Sequence, residues 1–141
     1  MNLIKAINYA LNDNFANNEC NISDLINMCS LYFIDSNKTI YYVEKISSDM
    51  VCQNVVSLCF VKHKVLYCVA THKEYQNLGY GKLLLQQIVN NNDFLQLNVR
   101  ISNRNAIKLY KNVGFKIVNL LKNFYSYTSN IEDAYVMEYS V

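Results

Sequence analysis

Between Thr39 and Asn90 the hydrophobic pattern changes period, and that change limits the folds open to this chain. Thr39 to Ile46, Val51 to Val61 and Val65 to Ala70 are three runs rich in β-branched and aromatic residues, parted by short polar breaks. Such runs predict strands arranged as an antiparallel meander. Gln76-Asn77-Leu78-Gly79-Tyr80-Gly81 then interrupts the pattern, and Lys82 to Asn90 follows with Leu84, Leu85, Ile88 and Val89 spaced for a packed helix. Phe94 to Arg100 returns to alternation, with Leu95, Leu97 and Val99 facing one way and Gln96, Asn98 and Arg100 the other. Asn103 to Val113 is a second helix of this half, with Ala106, Ile107 and Tyr110 on its inner face and Gly114 as its left-handed stop. Lys116 to Leu121 and Ala134 to Tyr139 read as two final strands, joined by a polar, tyrosine-bearing loop. The class is α/β in the broad sense (α+β).

The first 36 residues are harder to read. Leu3, Ile4, Ile7, Leu11 and Phe15 fit one helical face, while Leu3 to Ile7 also fits a short first strand. A helix is expected from Asp24, with Ser23 as its N-cap and Leu25, Ile26, Met28 and Cys29 leading inward. With 141 residues, 52% apolar and 17% charged, the chain suits one globular domain over residues 1–141, and it carries no internal repeat or linker.

Several partners are excluded on composition. No apolar run approaches the ~20 residues that span a bilayer, and the N-terminus lacks the apolar core of a secretion signal. A soluble, cytoplasmic protein with no membrane partner is expected. The net charge of +2 is small and its basic residues are scattered, which argues against a nucleic-acid partner. The five cysteines are odd in number and form no C-x-x-C pair, as for free thiols in a reducing compartment. Cys59 with His63 and Cys68 with His72 mimic metal-ligand pairs. Structural zinc sites use tighter spacings on turns, and both cysteines sit inside strand-like runs, so no metal is expected.

The three glycines fall at two places, Gly79 with Gly81 and Gly114. Glycine is required where the backbone takes positive φ or a ligand comes close. A strand, a tight glycine turn and a helix start together form an anion cradle, because N–H groups of the turn and first helical turn point outward and the helix dipole favours negative charge. A Walker A loop would need glycine at Gln76 and a hydroxyl at Leu83, and the dinucleotide fingerprint would need a third glycine after Gly81. Both fail, which leaves Q-x-x-G-x-G after an apolar strand.

That loop resembles the Q/R-x-x-G-x-G/A pyrophosphate loop of GNAT acetyltransferases. The resemblance sharpens downstream, at Asn98-Val99-Arg100-Ile101-Ser102-Asn103, Ala106-Ile107-Lys108-Leu109-Tyr110 and Val113-Gly114-Phe115. Lys122-Asn123-Phe124-Tyr125 and Glu132-Asp133-Ala134-Tyr135-Val136-Met137 are similar to protein N-terminal acetyltransferases, of the bacterial ribosomal-protein-alanine type and of the eukaryotic type acting on Met-starting chains. The match runs from about Val65 to Tyr139. It implies a GNAT fold: a mixed, mostly antiparallel sheet splayed between its fourth and fifth strands (here Val65 to Ala70 and Phe94 to Arg100), with helices on both faces.

The resemblance also implies a site. Backbone groups of Val69, Ala70 and Thr71 would hold the pantetheine arm of acetyl-CoA and polarise its thioester. Gln76, Asn77, Leu78, Gly79, Tyr80, Gly81 and Lys82 would surround the pyrophosphate. Asn103 and Ala106 would touch the cofactor, and Tyr110 would protonate the leaving thiolate, a task its pKa of ~10 permits. Phe124 and Tyr125 would line the slot for the acceptor, the α-amine of a protein or peptide N-terminus, attacked directly by that amine and without a metal.

On residue chemistry alone, Tyr110 is equally a core tyrosine, Asn103 an N-cap, and Phe124 with Tyr125 simple packing. The family often places Glu or His twelve residues before the acid tyrosine, where this chain has Asn98, which is no base. Tyr67 is a candidate to hold a catalytic water, and His72 and Glu74 are candidate substitutes for the base. Two other readings stand beside the first: an acetyltransferase for a small amine or a lysine side chain, and a catalytically weak domain that binds acetyl-CoA or a protein partner.

Overall fold

In a computed structural model, residues 38–46, 53–71, 73–126 and 130–141 are described. The helices read in the first 36 residues, and the alternative first strand there, lie outside these. Six strands form one sheet in the order β1-β2-β3-β4-β6-β5. They are β1 (Lys38–Ile46), β2 (Gln53–Lys62), β3 (Val65–Thr71), β4 (Phe94–Arg100), β5 (Lys116–Tyr125) and β6 (Glu132–Ser140), with helices α1 (Tyr80–Asn90) and α2 (Arg104–Asn112).

β1, β2 and β3 form the expected antiparallel meander. The β2–β3 connection is two residues, His63 and Lys64, with φ of 49° and 64°. Positive φ at both positions is the turn whose twist suits a two-residue hairpin, here made without glycine. β3 and β4 are parallel, and β6 runs antiparallel to both β4 and β5. The sheet is therefore mixed and mostly antiparallel.

The alternation read along β4 holds: Leu95, Leu97 and Val99 are buried and Asn98 is exposed. The buried set packs with Leu84, Leu85 and Ile88 of α1, Tyr110 of α2, Phe115 and Met137 in one core. Both helices thus cover the same face of the sheet. Fully burying each such aliphatic side chain is worth about 1.5–3 kcal/mol, so this layer anchors β3, β4 and β6 to the helices. The helices expected on the opposite face fall in the part outside the described residues.

Most element ends shift by one or two residues, β6 for example starting at Glu132 and not Ala134, and two shifts bear on the site. α1 begins at Tyr80, two residues before the expected Lys82, because Gly79 itself serves as N-cap with left-handed backbone and no capping side chain. β5 continues to Tyr125, so Lys122, Asn123, Phe124 and Tyr125 lie in a strand and not in the loop. The segment looks loop-like in sequence because its polar residues are paired across the ladder. Asp133 Oδ1 accepts from the Asn123 N–H at 2.8 Å, and its other oxygen meets Lys122 Nζ at 3.3 Å. Asn123 takes φ of 52°, and the register slips between Leu121 and Tyr125.

Candidate active site

β3 and β4 are neighbours at one paired position only, Val65 with Gln96, where the Gln96 N–H donates to the Lys64 carbonyl at 2.9 Å. Beyond it β3 pairs only with β2 and β4 only with β6. The carboxyl ends of two parallel strands therefore diverge around a gap, the place where open α/β sheets receive ligands. This is the splay expected between the two strands, which rank third and fourth among those described.

On one side of the gap, β3 ends at Val69, Ala70 and Thr71. Buried Ser57 Oγ donates to the Ala70 carbonyl at 3.1 Å and lies 3.0 Å from Thr71 Oγ1. Ser57 has a single hydroxyl proton, already given to Ala70, so Thr71 donates to Ser57. Gln76 Nε2 donates to the Thr71 carbonyl at 3.2 Å. Gln76 thereby ties the strand end to the helix start.

The turn between them uses left-handed backbone twice, at Asn77 (φ 61°) and Gly79 (φ 90°). α1 starts at once, and its first intrahelical partner is the Leu83 N–H, which donates to the Gly79 carbonyl at 3.0 Å. The N–H groups of Tyr80, Gly81 and Lys82 precede that bond, so they have no intrahelical acceptor and sit at the positive end of the helix dipole. Asn77, Leu78, Gly79 and Lys82 are exposed around them. A Cβ on Gly81 would lie 3.4 Å from Thr71 Oγ1 and from Leu109 Cδ2, which places the turn tightly against β3 and α2. These residues fit a pyrophosphate: backbone donors, a helix dipole and no carboxylate between Tyr75 and Asn90.

α2 contributes Asn103, Ala106 and Tyr110. Asn103 is the N-cap, its Oδ1 accepting from the Ala106 N–H at 3.2 Å. Tyr110 is 6% exposed, with its ring 5.8 Å from that of Phe115.

Strand pairing decides where Tyr67 and Asn98 lie beside the gap. Val65 and Gln96 share a face as ladder partners, and two residues on in each strand come Tyr67 and Asn98. Both therefore lie on the sheet face opposite the helices, one on each side of the divergence, and both are exposed. Tyr110, packed in the core on the helix side, and Tyr67 with Asn98 thus lie on opposite faces of the sheet. His72 lies outside the described residues, and Glu74 is exposed on the short turn Lys73–Tyr75.

Further along the face of Asn98 stands a cluster that the sequence did not single out. Arg100 Nη1 pairs with Glu132 Oε2 at 3.3 Å, and its guanidinium lies 4.0 Å from the centre of the Tyr125 ring. Tyr125 is buried, and Phe124 meets it edge-on at 5.0 Å while remaining 42% exposed. Hydrogen bonding from Ser102, aided by the Arg100 charge, holds the Glu132 carboxyl below its ordinary range despite desolvation. The signal for the cluster was the Glu132-Asp133 pair that opens β6, legible only once β4 and β6 are aligned.

Cys59 is fully buried, and desolvation pushes its thiol pKa well up, so it is an inert core thiol. His63, four residues on, is exposed in the hairpin turn. The side chain of Cys68 lies outside the described residues. Among the described residues no three His, Cys, Asp or Glu side chains gather at one point, and no helix is long and apolar enough to cross a membrane.

Comparison with known proteins accords with this arrangement. An N-alpha-acetyltransferase of Sulfurisphaera tokodaii is 40% identical over 83 residues, covering 55% of this chain and 48% of that protein. The ribosomal protein bS18-alanine N-acetyltransferase of Escherichia coli is 35% identical over 77 residues, covering 51% of this chain and 52% of that one. The chain thus spans about half the length of the curated relatives it matches. The crystal structure of the Escherichia coli protein shares the fold at a TM-score of 0.70 and 22% identity, over 97% of this chain and 90% of that chain. The spermidine N-acetyltransferase of Vibrio cholerae, in complex with CoA and spermine, shares it at 0.67 and 18% identity, over 96% and 88%. The model of the acetyltransferase (GNAT) domain matches residues 25–117, from before the meander to the start of β5. With the divergent parallel strands, the glycine turn and that match together, this chain belongs to the GNAT acetyltransferase domain family.

Proposed function

We propose that the domain transfers an acetyl group from acetyl-CoA to the α-amine of a protein or peptide N-terminus. The observation that carries the reading is the gap between β3 and β4, with the outward N–H groups of α1 at one margin and Asn98 at the other. Acetyl-CoA supplies an acetyl group activated as a thioester. The N–H groups of residues 79–82 would bind its pyrophosphate, and the β4-facing edge of β3 beyond Val65 would hold its arm. As the neutral amine attacks the thioester carbon and the carbon–sulfur bond breaks, Tyr110 would give its phenolic proton to the departing sulfur, and the proton shed by the amine would pass through solvent to restore the phenol. Tyr67 and Asn98 would position the acceptor amine from the opposite face, which keeps donor and acceptor in one line.

Two features favour an α-amine over other acceptors. A peptide α-amine has a pKa near ~7.8, so about a third is neutral at pH 7.4, whereas a lysine amine at ~10.4 must give up roughly 4 kcal/mol to deprotonate. Asn98 cannot meet that cost. The second feature is electrostatic. A polyamine carries several ammonium charges and needs carboxylates to receive them. On the face of Asn98, among the described residues of β4 and β6, Glu132 is engaged by Arg100 and Ser102, and Glu138 by Gln96 at 2.9 Å. Curated relatives named for N-terminal acetylation point the same way, while the fold likeness to a spermidine enzyme supports the donor and not the acceptor.

The test is mass-spectrometric detection of acetyl transfer to matched peptides, one with a free N-terminus and no lysine, the other N-blocked with a lysine. Acetylation of the first alone is expected. Modification of the lysine peptide alone overturns the acceptor, and acetyl-CoA binding with no transfer to any amine favours a binding role.

A further inference from the structure

One carboxylate holds two parts of the β4 side of the proposed site. Glu132 Oε1 accepts the Ser102 N–H at 2.7 Å. Ser102 is in the turn between β4 and α2, one residue before the N-cap of the helix that carries Tyr110. The same turn is held by the Asn103 N–H on the Arg100 carbonyl at 3.0 Å and the Ile101 N–H on the Asp133 carbonyl at 3.2 Å. The other oxygen of Glu132 fixes the Arg100 guanidinium, whose flat face rests on Tyr125. Tyr125 in turn supports exposed Phe124.

The pair is mostly shielded, with side-chain exposures of 13% for Arg100 and 18% for Glu132. At that burial a charge-assisted contact orients its partners more firmly than an open surface pair, and removing one member leaves the other charge uncompensated. Arg100 also lies one same-face step beyond Asn98 along β4, so its orientation bears on the ground next to the gap.

We infer that Glu132 is a positioning residue for the acceptor: through Arg100 and Tyr125 it fixes the aromatic wall at Phe124, while its second oxygen anchors the turn that starts α2. The inference rests on the peptide-acceptor reading given above. Two oxygens with separate duties predict a separable phenotype. Glu132→Gln keeps a carbonyl oxygen for the Ser102 N–H and removes the charge from Arg100.

The experiment measures kinetics of E132Q with a free N-terminal peptide alongside acetyl-CoA binding by calorimetry. KM for the peptide should rise about tenfold, the weight of one charge-assisted hydrogen bond, with acetyl-CoA affinity and kcat within about threefold of wild type. Arg100→Lys, which keeps the charge but loses the flat stack on Tyr125, should raise peptide KM as well, and the double variant should be no worse than E132Q alone. Unchanged peptide KM in both variants overturns the inference, as does a parallel loss of peptide turnover and acetyl-CoA binding. A wild-type protein that acetylates no peptide overturns the functional reading and this inference together, so the two failures are told apart by the wild-type control. Should E132Q not fold, R100K decides the matter by the same readouts.

Discussion

Gly79 and Gly81 stand two residues apart in the same turn, yet the structure asks different things of them. Gly79 has φ of 90° and open space where a Cβ would go. An alanine there meets no neighbour but must hold a left-handed backbone, at a cost of about 1–2 kcal/mol. A stiffer unfolded chain returns about 0.4–1 kcal/mol of that. The net loss is about 1 kcal/mol, or roughly 3–5 °C in Tm for a domain of this size. Relief of the strain would rotate the turn and disperse the N–H groups at the start of α1, so acetyl-CoA affinity should fall about tenfold or more. Gly81 is the opposite case. It lies within α1 outside the left-handed region, and its added Cβ would touch Thr71 Oγ1 and the tip of Leu109 at 3.4 Å, an ordinary contact distance. Helix propensity favours alanine there by about 0.5–1 kcal/mol. Gly81→Ala should therefore leave Tm level or slightly raised, with acetyl-CoA affinity within about threefold. Thermal melts and calorimetry on both variants check this. Equal damage from the two substitutions would refute the reasoning, because it would make close approach, and not backbone sign, the reason for glycine in this turn.

Three further outcomes are expected. Tyr110→Phe should lower kcat by about 10²–10⁴ while acetyl-CoA affinity holds, since a general acid contributes about that much; unchanged turnover in a steady-state assay would remove the acid role. Asn98→Glu should raise kcat/KM below pH 7 by about tenfold or more, where a base helps most, and an unaltered pH–rate profile would mean this position does not face the amine. Glu132 and Asp133 both have carboxyls held below their ordinary pKa, Glu132 chiefly by Ser102 and Asp133 chiefly by the Asn123 N–H. Lowered folded values mean stability fully present above the unfolded values of about 4 and lost as pH falls through the folded ones. Tm should be flat above about pH 5 and drop below about 4, less steeply in E132Q, as pH-dependent melts would show.

The strands and helices from Thr39 onward were legible because burial and period coincide: Leu95, Leu97 and Val99 alternate, and Leu84, Leu85 and Ile88 recur at helical spacing. The glycine turn was legible because Gly79 holds a backbone that other residues resist. The end of β5 was not, since the partner that makes Lys122 and Asn123 strand-like, Asp133, is ten or more residues away. The bracing role of Gln76 was hidden for a related reason. One of its amide N–H groups goes to the Thr71 carbonyl, which no local pattern announces. The Arg100, Glu132 and Tyr125 cluster draws its members from three strands, and only the register of β4, β5 and β6 brings them together. The three glycines and their spacing pointed to the cradle, whereas the roles expected of Tyr110, Tyr67 and Asn98 came only with the family resemblance. The opposition of Tyr110 to Tyr67 and Asn98 across the sheet came from strand pairing alone.

The solitary rung between the Lys64 carbonyl and the Gln96 N–H makes the molecule resemble a book with a short spine. One leaf is β1 to β3 and the other β4 to β6, and most of the rungs that would bind them are absent. On the proposed function, acetyl-CoA lying in the fold of the book would supply such rungs with its own amides, and the occupied sheet would be continuous through atoms the chain does not encode. Ligand at a hundred times its Kd adds about 2.7 kcal/mol of stability. Amide exchange at Asn98, whose N–H lies on the same edge of β4 as the Gln96 N–H that meets Lys64, should slow when acetyl-CoA is added. The heat resistance of this domain would then follow the supply of its own acetyl donor.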